Sequence, residues 1–148
     1  MAWPVNGKVV SPFGYRNDPF TNEYKMHNGI DIAGSGISGK PIVAISDGIV
    51  TKANASCSHN YGKKGSCGCG GGYGNYVTIN HGTLNGNTYV VTYGHMSKPA
   101  VGAGQVVKKG QVIGYVGSTG WSTGYHLHFG IAYGGIYRNP MNYYKKVG

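Results

Sequence analysis

Short apolar runs that alternate with turn residues are the main pattern along this chain. One pair of runs occupies residues 41–46 (PIVAIS) and 49–55 (IVTKANA), on either side of the dipeptide Asp47–Gly48. Two apolar runs joined by such a dipeptide are typical of a β-hairpin. We therefore predict that these two runs are antiparallel strands paired around the turn.

A second pair of runs lies at 75–80 (NYVTIN) and 88–96 (TYVVTYGHM), and the segment between them contains the turn dipeptide Asn85–Gly86. Both runs are rich in β-branched and aromatic residues, which favour strands. Apolar pairs also lie on either side of a Lys-Lys-Gly turn within 104–118, and 125–133 (YHLHFGIAY) alternates as a strand does. The pattern predicts a second hairpin and further strands, and it indicates no helix.

The composition supports the same fold class. The 148 residues include 28 Gly and 13 Tyr, and few of the residues that favour long helices. We predict an all-β fold, mainly antiparallel, formed by a single domain over 1–148. The opening segment, 12–40, is expected to be irregular. A long Cys- and Gly-rich loop insertion is predicted at 53–75, where its length suggests the rim of a site.

All three cysteines, Cys57, Cys67 and Cys69, lie in that insertion. An odd number excludes complete intramolecular pairing. A disulfide from Cys57 to Cys67 or Cys69, free thiols, and a second zinc site with His59 all remain open. The spacing matches none of the common zinc patterns, so we expect a disulfide that closes the loop, or free thiols.

The chain is strongly basic, with 13 Lys and Arg against 4 Asp and Glu and a formal net charge of +9. Such a charge attracts polyanions, and nucleic acids and the anionic polymers of the bacterial wall both qualify. No nucleic-acid-binding motif accompanies the charge, so we expect no nucleic-acid partner.

The start, MAWPVNGKVV, lacks the pattern of a signal peptide, and no segment reaches membrane-spanning length. We expect neither an export signal nor membrane insertion.

The four acidic residues restrict the available chemistry. Asp18 precedes Pro19 and Asp47 precedes Gly48, which explains both as turn residues. Glu23 is the only Glu in the chain, which leaves few carboxylates for the paired-carboxylate chemistry of a glycosidase. No His-Glu-x-x-His motif is present either. Acid–base chemistry must therefore depend mainly on histidine.

Four of the remaining polar residues point to a metal. His126 and His128 lie two apart on a predicted strand, so their side chains face the same side. His27 lies four residues before Asp31, and Gly29 between them lets the backbone bend so that both side chains converge. One imidazole and the carboxylate of this pair, with one histidine of the strand, would supply three ligands, the number that catalytic zinc takes.

Two other histidines have different settings. His95, in YGHM, ends another predicted strand and joins the constellation. His81, in INHGT, falls in a predicted turn, where a solvated or capping role is expected.

Three segments, in chain order, resemble the signature segments of the lysostaphin-like (LytM-type) zinc metallopeptidases: HNGID at 27–31, YGHM at 93–96 and YHLHFGI at 125–131. SPFGYR, PIVAISDGIV and GYGNYVTINHG are also similar to that family. The resemblance covers nearly the whole chain, and the cysteine loop is the main departure from it.

The resemblance implies a role for each site residue. One Zn²⁺ per chain would be bound by His27, Asp31 and His128. The catalytic histidines would be His95 and His126, and which of them is the general base is left open.

By this resemblance we expect an endopeptidase that hydrolyses peptide bonds in the stem or cross-bridge of bacterial peptidoglycan. Zinc would lie on the floor of a loop-walled groove, in a monomeric domain that stands alone or belongs to a larger protein or phage particle. The enzyme would act outside the cytoplasm, at the cell wall, and the lack of a signal peptide favours a phage lysin or tail-tip enzyme. The alternative is a catalytically silent wall-binding or structural module of the same fold, which would need none of the five site residues.

Overall fold

The computed structural model describes residues 1–17, 24–57, 73–84, 86–119 and 124–144. Several sequence-based predictions concern positions outside these ranges, namely Asp18, Glu23, His59, Cys67, Cys69 and Asn85.

Twelve strands occupy most of the described residues, and all of their pairings are antiparallel. They are β1 (Lys8–Ser11), β2 (Gly14–Asn17), β3 (Tyr24–His27), β4 (Ile30–Ala33), β5 (Pro41–Val43), β6 (Gly48–Asn54), β7 (Asn75–Leu84), β8 (Asn87–Pro99), β9 (Val106–Val107), β10 (Val112–Val116), β11 (Leu127–Tyr133) and β12 (Ile136–Arg138). Within the described part of the chain, ten strands join in one sheet, and β2 and β3 pair separately. This confirms the all-β, mainly antiparallel fold class.

The order β1-β4-β11-β8-β7-β6-β9 places β11 in the interior of the large sheet. On one side His128 of β11 pairs with Asp31 of β4, and on the other it pairs with Gly94 of β8. The predicted strand at 125–133 is confirmed from Leu127 onward, but its expected alternation is not, because the residues 127–131 are all buried. A central strand is covered on both faces.

The predicted second hairpin is confirmed. Its strands β7 and β8 pair as far as Leu84 and Asn87, so β7 continues through the residues that had been expected to form the turn. Gly86 has a φ of 90°, the left-handed region in which glycine is favoured.

The predicted first hairpin is wrong. Although both apolar runs contain strands, β5 pairs with β10, whereas β6 pairs with β7 and β9. Gly48 lacks the positive φ that a two-residue turn of this kind needs. It is required for space instead, since a Cβ there would lie 2.7 Å from the Asn80 carbonyl oxygen on β7.

The opening segment is also more regular than expected. Residues 12–40 contain β2, β3 and β4 instead of an extended irregular loop. The predicted insertion at 53–75 is shorter at both ends, because β6 extends to Asn54 and β7 begins at Asn75.

The apolar core packs on one face of β4 and β11, the strands that carry Asp31 and His128. Leu127 and Phe129 on β11, and Ile30 and Ile32 on β4, are at most 1% exposed. Because side chains alternate along a strand, the residues between them point to the opposite face. The core thus fixes the two strands from behind. In the described residues, helical structure is limited to a 3-10 turn at Pro140–Tyr143, and no helix is long and apolar enough to cross a membrane.

Candidate metal centre and active site

Asp31 and His128 come together because their strands are neighbours. The two residues lie directly opposite each other on β4 and β11 and therefore share a face. Nδ1 of His128 lies 3.4 Å from Oδ1 of Asp31, and both residues are buried. Sheet register alone thus creates this pair.

His27 approaches the same carboxylate from the end of β3. Its Nε2 lies 3.2 Å from Oδ1 of Asp31, and its Nδ1 lies 2.9 Å from the carbonyl oxygen of Pro12. A carbonyl oxygen can only accept, so Nδ1 of His27 carries the proton and donates it to Pro12. In the neutral imidazole, Nε2 then presents a lone pair to the carboxylate.

This arrangement fits a bound cation. An imidazole lone pair and a carboxylate oxygen at 3.2 Å repel each other unless a proton or a metal ion lies between them. One nitrogen or oxygen from each of His27, Asp31 and His128 lies within 4.8 Å of the others. A tetrahedral zinc with bonds of about 2.1 Å separates its ligand atoms by about 3.4 Å, which is close to the 3.2 Å and 3.4 Å found here. The donor set and its spacing suit zinc.

The protonation states of two of these residues also suit a metal. Burial raises the pKa of Asp31, but the imidazoles of His128, His27 and His126 around the carboxylate outweigh it and leave this pKa well below its usual range. Burial lowers the pKa of His128, against the opposing effect of Asp31. A metal needs the ionised carboxylate and the neutral imidazole that result.

His95 reaches the site through an irregularity in β8. Between the pairs Val77–Tyr93 and Asn75–Met96, β8 has one more residue than β7, which is a β-bulge. His95 lies in this bulge with a φ of 60°, in the left-handed region that residues other than glycine rarely adopt. Bulges redirect side chains, and here the ring of His95 faces the ring of His128 with centroids 6.0 Å apart.

Hydrogen bonds hold His95 in one orientation. Its backbone N–H donates to the Tyr73 carbonyl at 2.7 Å, and its Nδ1 donates to the Thr119 carbonyl at 2.6 Å. Burial and the nearby His126 and His128 lower the pKa of His95 to about 3. The imidazole is therefore neutral, and its Nε2 is an acceptor.

His126 lies at the more open edge of the site. Its Nδ1 donates to the Gly124 carbonyl at 2.9 Å, and its Nε2 lies 3.5 Å from Oδ1 of Asp31. Its ring centroid is 4.6 Å from that of His95. All five residues singled out in the sequence are thus gathered at one place, and the common face predicted for His126 and His128 agrees with their shared approach to Asp31.

Sequence reasoning missed Tyr73, which covers one side of the site. Its ring lies 5.1 Å from that of His128, and a Cβ on Gly94 would approach it to 3.3 Å. Among the described residues, Nε2 of His128 has no hydrogen-bond partner, so this aromatic contact helps to hold the ring. Tyr73 lies in a predicted loop, and although its segment GYGNYVTINHG resembles the family, nothing in the local pattern assigns this tyrosine to the site.

The expectation for His81 is wrong. It lies within β7 and is buried, where it contacts the Tyr93 hydroxyl at 2.9 Å and the Ser46 hydroxyl at 3.2 Å. The strand continues past the expected turn and carries His81 inward.

Cys57 is buried as well, but the cysteines with which it would pair lie outside the described residues.

The family model described as Peptidase family M23 matches residues 25–140, a span that contains all five residues of the site. The chain belongs to this family. The lysostaphin-like resemblance seen in the sequence is thereby confirmed.

Two curated relatives show the range of proteins that carry this M23 domain. The chain is 38% identical over 138 residues to the DD-carboxypeptidase/endopeptidase Mpg of Neisseria meningitidis, covering 93% of this chain and 27% of Mpg. It is 37% identical over 141 residues to the murein hydrolase activator NlpD of Salmonella dublin, covering 95% of this chain and 30% of NlpD. The chain therefore spans less than a third of the length of either relative.

Solved structures agree with the assignment. The catalytic domain of the antimicrobial peptidase lysostaphin from Staphylococcus simulans is similar with a TM-score of 0.69 and 32% identity, covering 93% of this chain and 92% of that one. A zinc-containing peptidase from Vibrio cholerae gives a TM-score of 0.72 and 31% identity, covering 99% of this chain and 39% of that one.

Proposed function

We propose that this M23 domain is a zinc-dependent endopeptidase that hydrolyses peptide bonds in the stem or cross-bridge of bacterial peptidoglycan. The observation that carries the proposal is the single carboxylate oxygen of Asp31, around which His27, His128 and His126 direct imidazole nitrogens at 3.2–3.5 Å. This spacing suits the ligand atoms of a zinc ion.

His27, Asp31 and His128 would hold one zinc ion per chain. When bound, zinc acts as a Lewis acid, which polarises a peptide carbonyl and acidifies water near it. Pro12 supports this ligand set, because its carbonyl fixes His27 in the tautomer that leaves Nε2 as a ligand atom.

His95 and His126 would move protons. The neutral His95 would accept a proton from the attacking water at Nε2, since its Nδ1 is already committed to Thr119. His126 is more exposed than His95 and its Nε2 lies 3.5 Å from Oδ1 of Asp31, so it would donate a proton to the leaving amine. The rings are 4.6 Å apart, so one substrate bond can contact both.

The setting of the enzyme follows from its substrate. Peptidoglycan lies outside the cytoplasm, and a net charge of +9 would attract the anionic polymers of the wall. We propose that residues 1–148 form one monomeric domain, alone or as part of a larger protein or phage particle, which acts as a secreted, virion-associated or lysis-released hydrolase without nucleic-acid partners or membrane insertion. Wall binding should weaken as salt screens the charge.

The test is the release of new amino groups from purified cell walls. The protein as prepared, a chelator-treated sample, the same sample restored with zinc, and His128→Ala are compared. We expect amines only from the samples that hold both zinc and His128, and identification of the new termini will name the bond. His81→Ala is the matched control, because it removes a buried histidine that does not face Asp31.

A second candidate is a wall-binding module without hydrolysis, which the similarity to the activator NlpD favours. In that case folded, zinc-loaded protein binds walls but releases no amines, with or without His128. That result would contradict the endopeptidase proposal.

A further inference from the structure

One short segment contacts both proposed catalytic histidines. This segment, Gly117–Thr119, follows β10 directly. The N–H of Gly117 donates to the carbonyl of His95 at 3.0 Å, and the carbonyl of Gly117 accepts the N–H of His126 at 3.3 Å. The carbonyl of Thr119 accepts Nδ1–H of His95 at 2.6 Å. Any displacement of this bracket, residues 117–119, would therefore move both imidazoles.

The side chain of Thr119 anchors the bracket to the sheet. Its hydroxyl donates to the Met96 carbonyl at 2.6 Å and accepts the N–H of Asn75 at 2.9 Å. Met96 belongs to β8 and Asn75 to β7, so one hydroxyl joins two neighbouring strands. Thr119 is fully buried, which means that water cannot replace either hydrogen bond.

Two glycines allow the bracket to approach the sheet this closely. A Cβ at Gly74 would lie 2.3 Å from Oγ1 of Thr119, and a Cβ at Gly117 would lie 2.3 Å from the backbone nitrogen of Ser97. Neither position leaves room for a side chain. The backbone is thus shaped to bring Thr119 into this contact.

We infer that the hydroxyl of Thr119 is a positioning element for catalysis: it fixes the carbonyl that sets the tautomer and orientation of His95. The hydrogen bonds of Thr119 go to Met96, Asn75 and His95, none of which is a proposed metal ligand. The inference rests on the proposed role of His95 as proton acceptor, because that role requires Nδ1 to carry the proton and Nε2 to face the substrate. A displaced imidazole loses rate even when substrate binding is unchanged.

Thr119→Val tests the inference, since valine keeps the branched shape and removes only the hydroxyl. In the zinc-loaded enzyme we expect kcat to fall by about tenfold to a hundredfold, with KM and bound zinc unchanged. Thr119→Ser retains the hydroxyl and should restore most of kcat. Equal kcat values in the wild type and Thr119→Val would overturn the inference.

A second readout does not depend on turnover. In ¹⁵N-edited NMR spectra, the Nδ1 proton of His95 should give a downfield signal that exchanges slowly in the wild type and in Thr119→Ser. In Thr119→Val it should exchange at least about tenfold faster, because the accepting carbonyl is no longer held. An unchanged, slowly exchanging signal in Thr119→Val would contradict the inference.

Tyr93→Phe is the matched control for general destabilisation. It also removes a buried hydroxyl with two hydrogen bonds, one accepted from Ile45 N–H and one shared with His81, and neither of them involves His95. We expect a similar loss of thermal stability with wild-type kcat. If Tyr93→Phe lowers kcat as much as Thr119→Val does, the positioning role fails. If the wild type cleaves no peptide at all, the proposed function fails, while the NMR comparison still decides whether Thr119 positions His95.

Discussion

Two groups of polar residues in the same sheet contain buried histidines, and they differ in what faces the imidazole. At Asp31, imidazole nitrogens from three histidines lie around one carboxylate oxygen. At His81, the ring meets oxygens that belong to hydroxyl and carbonyl groups, those of Tyr93, Ser46 and Asp47. Hydroxyls can donate or accept, so the second group satisfies its hydrogen bonds without an ion.

The difference shows which features identify a site. Burial lowers the pKa of His81 just as it lowers the pKa of His95 and of His128. Neither burial nor a lowered histidine pKa therefore distinguishes the two groups. The distinguishing feature is the convergence of acceptor atoms on a buried carboxylate, which calls for a cation.

The largest expected effect concerns zinc binding. Asp31→Asn keeps the shape of the side chain and removes its charge, so zinc affinity should fall by at least about a hundredfold. Competition with a chromophoric chelator measures this. Ser46→Ala is the corresponding change in the His81 group and should leave zinc affinity unaltered. Equal affinities in Asp31→Asn and the wild type would remove the distinction between the groups.

The next effect concerns stability. His81→Ala leaves the hydroxyl of Tyr93 without its imidazole partner and opens a cavity, so the free energy of unfolding should fall by about 3 kcal/mol. Urea denaturation of the zinc-free protein measures it. Zinc affinity should stay within about twofold of the wild type, because separate sites act independently. A loss of affinity like that of Asp31→Asn would mean that the two groups are coupled.

A pair of glycines offers a finer comparison. A Cβ at Gly29 would lie 3.0 Å from Cε1 of His128, and a Cβ at Gly48 would lie 3.0 Å from Nδ1 of His81. Each Gly→Ala change should cost about 2 kcal/mol of stability through overpacking. Only Gly29→Ala should also weaken zinc binding, by about tenfold, since it displaces a ligand. Weakened zinc binding in Gly48→Ala would count against this division.

The smallest expected effect is a pH dependence. The pKa of His81 is lowered in the folded state, so below its ordinary value of 6.5 the unfolded chain binds a proton that the folded chain does not. Stability due to His81 is present above pH 6.5 and is lost as the pH falls from there towards the folded pKa, by at most about 1.4 kcal/mol per pH unit. The free energies of unfolding of the wild type and of His81→Gln are measured from pH 7.5 to 5. The free energy of the wild type should fall more steeply with decreasing pH than that of the variant, so the two curves should converge or cross. Parallel curves would contradict the assignment.

Local signals predicted that His27 and Asp31 converge and that His126 and His128 share a face, whereas His128 as the third residue of the set was implied by the family resemblance. Two residues four apart with a glycine between them, and two histidines alternating along a strand, restrict where side chains can point. Their roles in metal binding stay predictions. The surroundings of His81 could not be predicted in this way, because its partner Ser46 is 35 residues distant along the chain.

Two features of the fold escaped prediction for related reasons. Asp47–Gly48 has the composition of a hairpin turn, yet Gly48 is needed for close packing against β7, which only the tertiary structure reveals. The bulge that redirects His95 depends on the register between β7 and β8, and register is set by the whole sheet. The hairpin of β7 and β8, in contrast, was predictable because its turn and apolar pattern agree.

The left-handed backbone at His95 affects how proteins with this domain can diverge. A glycine at position 95 would relieve a conformational cost of about 1 kcal/mol. It would also leave the buried carbonyl of Thr119 without its imidazole donor, which costs about 1–3 kcal/mol. The imidazole therefore supports the fold as well as the proposed chemistry, and a lineage that keeps the domain only to bind the wall still loses stability when it loses His95.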